Sequence, residues 1–418
     1  MFCLAAPLMI LYVTGITYNF GAGQFQKTGI LALNTDPGTV NMFLNGQLLP
    51  QTSGSIKFLV PGEYNLTLSK AGYFDWSKRL EVEAGQVIWA SPSNNKIFLY
   101  LKPALPKILA EQVSDFTLSG SKLFYLTASG LTITSPKTPD SSQNLPLSKS
   151  ADKLLLSPGG QLALLTQSQA SKTPATILLA DVNSQKLFDL SSLFKQPAVF
   201  KFSANDQLYA LESGTLYQVD YRNLLLTPLL PAVSAFSFLD NDLYYLTPKA
   251  GGLALDFLAR GSKDSTELAT GIPAANHAEV LVDYEKEIFL LLDGTLYKAG
   301  GPLLPLAGNV GDWQFNPFDS GLIFTSNGEL DYYNSFSHTV NFITRSQNSI
   351  SKPLLQLNLG EAFYFTDKRL SGIELDTRDH QNEYSFGALE QPQKFQLDDQ
   401  NQNLLVLDGG RLELLKIR

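Results

Sequence analysis

The sequence predicts an all-β protein: an N-terminal transmembrane helix, a small β-sandwich, and then a β-propeller of about eight blades, with seven as the alternative. Three observations carry this expectation. A phrase of strand, polar turn, strand, glycine turn and strand recurs from Val113 to the end of the chain. A cluster of hairpin signals lies between Lys27 and Pro103, and the first 26 residues carry no charge. The implied segments are 1–26 (anchor), 27–95 (sandwich) and 96–418 (propeller).

The repeat is clearest in Phe200–Asp220, Phe236–Phe257, Val280–Gly300 and Phe395–Ile417. With weaker copies included, Phe116, Leu155, Phe202, Phe238, Val282, Phe315, Leu357 and Leu397 are matching points spaced by about 40 residues. That period belongs to propellers, whose unit is a four-stranded sheet. The last copy stops after its third strand at Arg418. A strand drawn from Leu99–Gln112 is therefore expected to complete the final sheet, because closure pairs an open edge.

Hydrophobic residues make up 44% of the 418-residue chain and charged residues 17%, which fits a folded β-rich protein. The formal net charge is -8, with no run of Lys or Arg. Nucleic acid is therefore excluded as a partner class. The single cysteine, Cys3, rules out an internal disulfide and a cysteine zinc cluster.

At the N-terminus, Phe2–Phe20 is about long enough to cross a hydrocarbon core, and Lys27 is the first charge. Tyr12 and Tyr18 suit an interface. The reading is a single-pass anchor that makes the membrane one partner. The lack of a basic residue before the apolar run implies a short basic leader ahead of Met1. A cleaved signal peptide ending at Gly21, Ala22 and Gly23 is the competing reading.

Between Gly29 and Trp89, turns at Pro37-Gly38, Asn45-Gly46, Pro61-Gly62, Gly72-Tyr73 and Ala84-Gly85 separate short apolar strands. Asn-Gly between such strands is a strong hairpin signal, since both residues tolerate positive φ. Alternation in Glu63–Leu68 and Lys78–Glu83 gives one buried and one wet face. A compact antiparallel sandwich follows. Gly46, Gly62 and Gly72 read as turn glycines, and Tyr64, Tyr73, Trp76 and Trp89 as core aromatics before a sugar-stacking surface.

These residues resemble the PEGA domain family. The pattern is carried by Asp36, Pro37, Gly38, Thr39, Asn45, Gly46, Pro61, Gly62, Tyr64, Gly72 and Tyr73. The namesake tetrad departs, with Asp-Pro-Gly-Thr in place of Pro-Glu-Gly-Ala. The resemblance implies a bacterial, membrane-anchored, extracytoplasmic module at the cell envelope. It implies no catalytic residues and no substrate.

No nucleophile elbow, zinc-protease helix, phosphate loop or dinucleotide fingerprint is present. No catalytic, cofactor-binding or metal residue is therefore assigned, and no cofactor. His277, His338 and His380 fall in connections of three different repeats. Asp256, Asp312 and Asp376 are scattered acids. The Asp240-Asn241-Asp242 and Asp398-Asp399 turns have counterparts that share only turn character, so they do not read as calcium sites.

The function expected is non-catalytic binding or scaffolding, with the propeller recognising a protein or an envelope glycan. A propeller polysaccharide hydrolase or lyase is one alternative, and a structural envelope component another. Two or three acids with a His or Arg at the channel mouth would favour the enzyme. Apolar, Tyr and Asn side chains there would favour binding.

Overall fold

The computed structural model describes residues 15–19, 23–50, 52, 54–91, 96–167, 176–316, 321–398 and 400–418. Its regular structure is β throughout, apart from one turn of 3-10 helix at Ser191–Leu193.

The N-terminal expectation is corrected. Ile16–Asn19, the end of the expected anchor, is a β-strand paired antiparallel with Gln24–Lys27. Thr28 donates its N–H to the Gly15 carbonyl at 2.8 Å, which extends the hairpin. Ile16, Thr17 and Tyr18 are β-branched or aromatic and favour a pleated strand once a partner strand is adjacent. Among the described residues no helix is long and apolar enough to cross a membrane. The remainder of the expected helix, residues 1–14 and 20, lies outside the described residues.

The sandwich faces a four-stranded sheet (Gln47–Leu48, Asn41–Leu44, Gly62–Ser69, Trp76–Val82) against a three-stranded one (Val87–Trp89, Gly29–Ala32, Ile56–Leu59). Leu31, Met42, Leu66, Leu68, Trp76 and Leu80 fill the space between them. The sandwich is not purely antiparallel. Val87–Trp89 runs parallel to Gly29–Ala32, and Ile97–Phe98 parallel to Thr35–Asp36. The chain leaves its first strand, builds the facing sheet and returns alongside it, the kind of long crossover a parallel pair needs. Close packing fixes Gly29: a Cβ there would lie 2.4 Å from the Glu83 carbonyl oxygen.

The described residues of the remainder form eight four-stranded sheets, or blades. Blade 1 begins with Val113–Ser119, blade 2 with Lys153–Leu156, blade 3 with Ala198–Phe202 and blade 4 with Ala235–Leu239. Blade 5 begins with Ala278–Val282, blade 6 with Val310–Asn316, blade 7 with Ile350–Gln356 and blade 8 with Pro392–Leu397. These are the positions that the repeat spacing marks, with Leu357 just beyond its strand. First strands approach one another between blades 1 and 2, 4 and 5, 6 and 7, 7 and 8, and 8 and 1, which puts them at the axis. Blade 8 takes its outer strand from Lys107–Ala110, which pairs antiparallel with Arg411–Lys416. The ring thus closes on the segment before its first blade, as the missing strand requires.

Candidate functional site

A first strand at a propeller axis has one ladder partner and one free edge, so half of its backbone groups need other partners. Side chains of the neighbouring blade supply them here. Asp115 Oδ2 accepts the Leu154 N–H at 2.9 Å, from blade 1 to blade 2. Gln314 accepts the Leu355 N–H at 3.1 Å, and Gln396 accepts the Leu118 N–H at 2.9 Å. Asp312 Oδ2 accepts the Lys352 N–H at 3.1 Å. These acids and amides stitch blade to blade.

The first ladder of each blade is regular in blades 2 to 5 and shifted in register in blades 6, 7, 8 and 1. The shifts fall at Val310/Trp313, Ser351/Leu354, Pro392/Lys394 and Val113/Asp115, along one contiguous arc of the ring. A bulge re-aims the side chains beside it. Those side chains include Asp312, Lys352, Lys394 and Asp115. Lys352 also has a φ of 48°, an uncommon backbone state for a non-glycine residue.

Where this arc meets blades 2 and 3 lies a cavity of about 510 Å³, within the size range of ligand sites. Its apolar lining comes from Leu154, Leu155, Leu164 and Phe200, and its charged lining from Lys153, Lys352, Lys394 and Asp115. Thr166 and Gln393 complete it. Asp115 is committed: Oδ1 accepts from Lys394 Nζ at 2.8 Å and from the Phe116 N–H at 2.8 Å, while Oδ2 holds Leu154. Lys352 Nζ lies 3.1 Å from Asp312 Oδ1. Among the described residues the Lys153 side chain makes no hydrogen bond or ion pair, while its backbone pairs with Thr166 in the ladder. A second void, between blades 1 and 2 and lined by Ile133 and Val182, measures about 20 Å³ and has little more than the room for one water.

The family-motif residues sit elsewhere, in the sandwich. Asn45 (φ 49°) and Gly46 (φ 79°) form the turn between Asn41–Leu44 and Gln47–Leu48. Asn45 Oδ1 accepts the Asn65 N–H at 2.9 Å, which ties that turn to the next strand. Gly62 and Gly72 also have positive φ, at 154° and 84°. Pro61 precedes the strand that Gly62 opens, Pro37 and Gly38 form a bend beside Asp36, and Gly38 has open space around its Cβ position. Tyr64 donates its hydroxyl to the Val60 carbonyl at 2.7 Å, and Tyr73 bridges to Leu101. Residues 28–95 match the family model for the PEGA domain. This segment is similar to PEGA domains.

None of the curated proteins matches the chain in sequence. Solved structures match in shape. A eukaryotic initiation factor aligns with a TM-score of 0.53 at 13% identity, over 74% of this chain and 85% of that one. Dipeptidyl peptidase 4 from Porphyromonas gingivalis aligns with a TM-score of 0.52 at 11% identity, over 73% of this chain and 58% of that one. The Dos1 propeller aligns with a TM-score of 0.50 at 10% identity, over 75% and 95%. At such identities the likeness shows the propeller fold alone.

The PEGA domain is fastened to blade 7 by a buried polar network. Lys78 Nζ contacts Glu374 Oε2 at 2.9 Å, Asp376 Oδ2 at 3.3 Å and the Asp376 carbonyl at 2.8 Å. Trp76 Nε1 donates to Glu374 Oε1 at 3.3 Å, so this ring belongs to the interface and not to a sugar platform. Arg378 grips Asp376 and donates to the Trp89 and Ala90 carbonyls at 2.8 and 2.6 Å. Burial works against the Asp376 charge, yet the Arg378 hydrogen bonds and Lys78 hold its carboxyl below the usual range. Alongside, Tyr100 donates to Glu361 and accepts from Arg418 at 3.0 Å. Burial pushes the Glu361 carboxyl up to about 8.

The remaining candidates do not converge. His277 lies before blade 5, His338 sits in a turn of blade 6 beside Glu287, and His380 contacts Asp379 and Ser77 at the PEGA boundary. Asp256 is buried and accepts from Thr247 at 2.7 Å. Asp312 and Asp376 are the structural acids described above. Among the described residues no three His, Cys, Asp or Glu side chains are grouped to hold a metal ion.

Proposed function

We propose that the protein is a non-catalytic binding module that takes a protein or glycan ligand at the axial cavity of its propeller. The extracytoplasmic setting is part of the same proposal and rests on the likeness to PEGA domains. The observation that carries the binding reading is the composition of the cavity wall. General acid-base chemistry needs a titratable group within reach of a substrate and free to exchange its proton. The wall has one carboxylate, Asp115, whose oxygens already hold two backbone N–H groups and a lysine. Leucine and phenylalanine with a rim of flexible ammonium groups suit recognition.

The PEGA domain adds a fixed body on one side of the ring, since its contact with blade 7 is buried and charged. A rigid platform with varied loops is a common basis for recognition on propellers.

Parallel binding screens on glycan and peptide panels, using the wild-type chain and a Phe200→Ala variant, test the proposal. Saturable binding that the variant loses supports it. Turnover of a bound glycan would put the hydrolase or lyase reading first. Absence of any ligand in both panels would favour the structural component.

A further inference from the structure

We infer that the axial cavity takes an acidic peptide segment in which carboxylates alternate with apolar side chains. This deepens the proposed function, and it rests on the cavity being the binding site.

The charge balance at the cavity is opposite to that of the chain. The whole sequence has a formal net charge of -8, whereas the wall carries Lys153, Lys352 and Lys394 against Asp115. Adding Asp312, which contacts Lys352 from behind, still leaves one cation in excess. That cation is Lys153, exposed and without an ion pair among the described residues. A positive potential inside a low-dielectric recess is focused toward its mouth and draws an anion from an otherwise repelling surface. Lysine serves such a site as a mobile point charge that follows a carboxylate, without the fixed fork of arginine.

The uncharged wall selects the class of anion. A sugar presents hydroxyls on most edges and needs many donors and acceptors. The wall offers the Thr166 and Gln393 side chains and, for the rest, Leu154, Leu155, Leu164 and Phe200. Leu155 is 41% exposed. Apolar side chains of a peptide cover such surface, while the lysines at the rim receive its carboxylates. The first strands of blades 7 and 8, displaced by their bulges, supply two of those lysines. The bulged arc thus supplies two of the three lysines and the aspartate, and the regular strands of blades 2 and 3 supply Lys153 and the apolar wall.

The test uses the full chain and four probes: Glu-Leu, Gln-Leu and Lys-Leu repeat hexapeptides, and polygalacturonate as an acidic glycan. The Glu-Leu peptide is expected to bind saturably and the Gln-Leu peptide about tenfold or more weakly, with a salt dependence only for the former. Lys153→Glu is expected to weaken the Glu-Leu peptide by about tenfold, and Lys153→Arg to restore it. Because Lys153 is exposed and unpaired, neither change disturbs folding. Equal binding of the Glu-Leu and Gln-Leu peptides, lost in Phe200→Ala, would overturn the charge inference and leave the cavity as the binding site. Preference for polygalacturonate would overturn the peptide class. Binding of none of the four would overturn both this inference and the reading on which it rests.

Discussion

Lys78 Nζ lies 2.9 Å from Glu374 Oε2, across the boundary between the PEGA domain and blade 7, and the lysine side chain is fully buried. Two parts of the chain almost three hundred residues apart are thereby joined through a desolvated ion pair. An ammonium can be held in such a place only when its charge and its donors are met. Glu374 and Asp376 meet the charge, and the Asp376 carbonyl takes a further hydrogen.

Removing the lysine leaves the Glu374 carboxylate without its cation and leaves Asp376 with Arg378 alone. Lys78→Ala is expected to cost about 3–5 kcal/mol of stability. The denaturant midpoint measures that cost. Proteolytic nicking between the PEGA domain and blade 1 should rise in parallel if the pair fixes the two bodies together.

Glu361 gives a pH signature at the same boundary. Burial raises its carboxyl from 4.5 to about 8 in the folded chain. Between those values the folded state holds a proton that the unfolded state has released, so stability falls as pH rises. The unfavourable contribution is absent below about pH 4.5 and complete above about pH 8. Melting temperatures recorded across this window should fall more steeply for wild type than for Glu361→Gln. Parallel curves would show that Glu361 is not the group responsible.

Asp408, with 2% exposure, shows what the acid of the second hairpin turn does. Its carboxylate accepts the Glu390 N–H at 2.9 Å and the Gln391 N–H at 2.5 Å, where the chain enters blade 8. Asp293 does the same for Asn276 and His277 at blade 5. Asp408→Ala leaves the two N–H groups without their acceptor and is expected to cost about 1–3 kcal/mol, with Asp408→Asn costing less. Chemical denaturation of the two variants side by side checks the order.

Closure of the ring is testable by cross-linking. Lys107 and Leu414 are opposed residues of the closing strand pair. A disulfide from Lys107→Cys with Leu414→Cys should form on oxidation and raise stability by up to about 5 kcal/mol, given the long loop it closes. Failure to form under oxidising conditions would contradict the pairing.

The ring was readable in the sequence because each blade repeats the same hydrophobic phase, and the matching points from Phe116 to Leu397 fall in first strands, except Leu357, which lies one residue beyond its own. The missing outer strand was readable because the last repeat stops one strand short. The N-terminal hairpin was not, since a run such as Ile16-Thr17-Tyr18 is apolar enough for a membrane and branched enough for a strand. Two lysines of the cavity were hidden by the bulges: an unpaired residue at Ser351/Leu354 or Pro392/Lys394 breaks the alternation that would say which way Lys352 and Lys394 point. Lys78 did leave a signal. It shares parity with Trp76, Leu80 and Val82, so the alternation that places those three inside places the lysine inside with them.

Acylation footprinting of lysines in the presence of the Glu-Leu peptide tests the central claim most directly, because it reports where a ligand sits. Selective protection of Lys153, Lys352 and Lys394, with the outer-strand Lys186 of blade 2 unchanged, is the predicted result. Uniform protection, or protection confined to lysines outside the axial cavity, would contradict it.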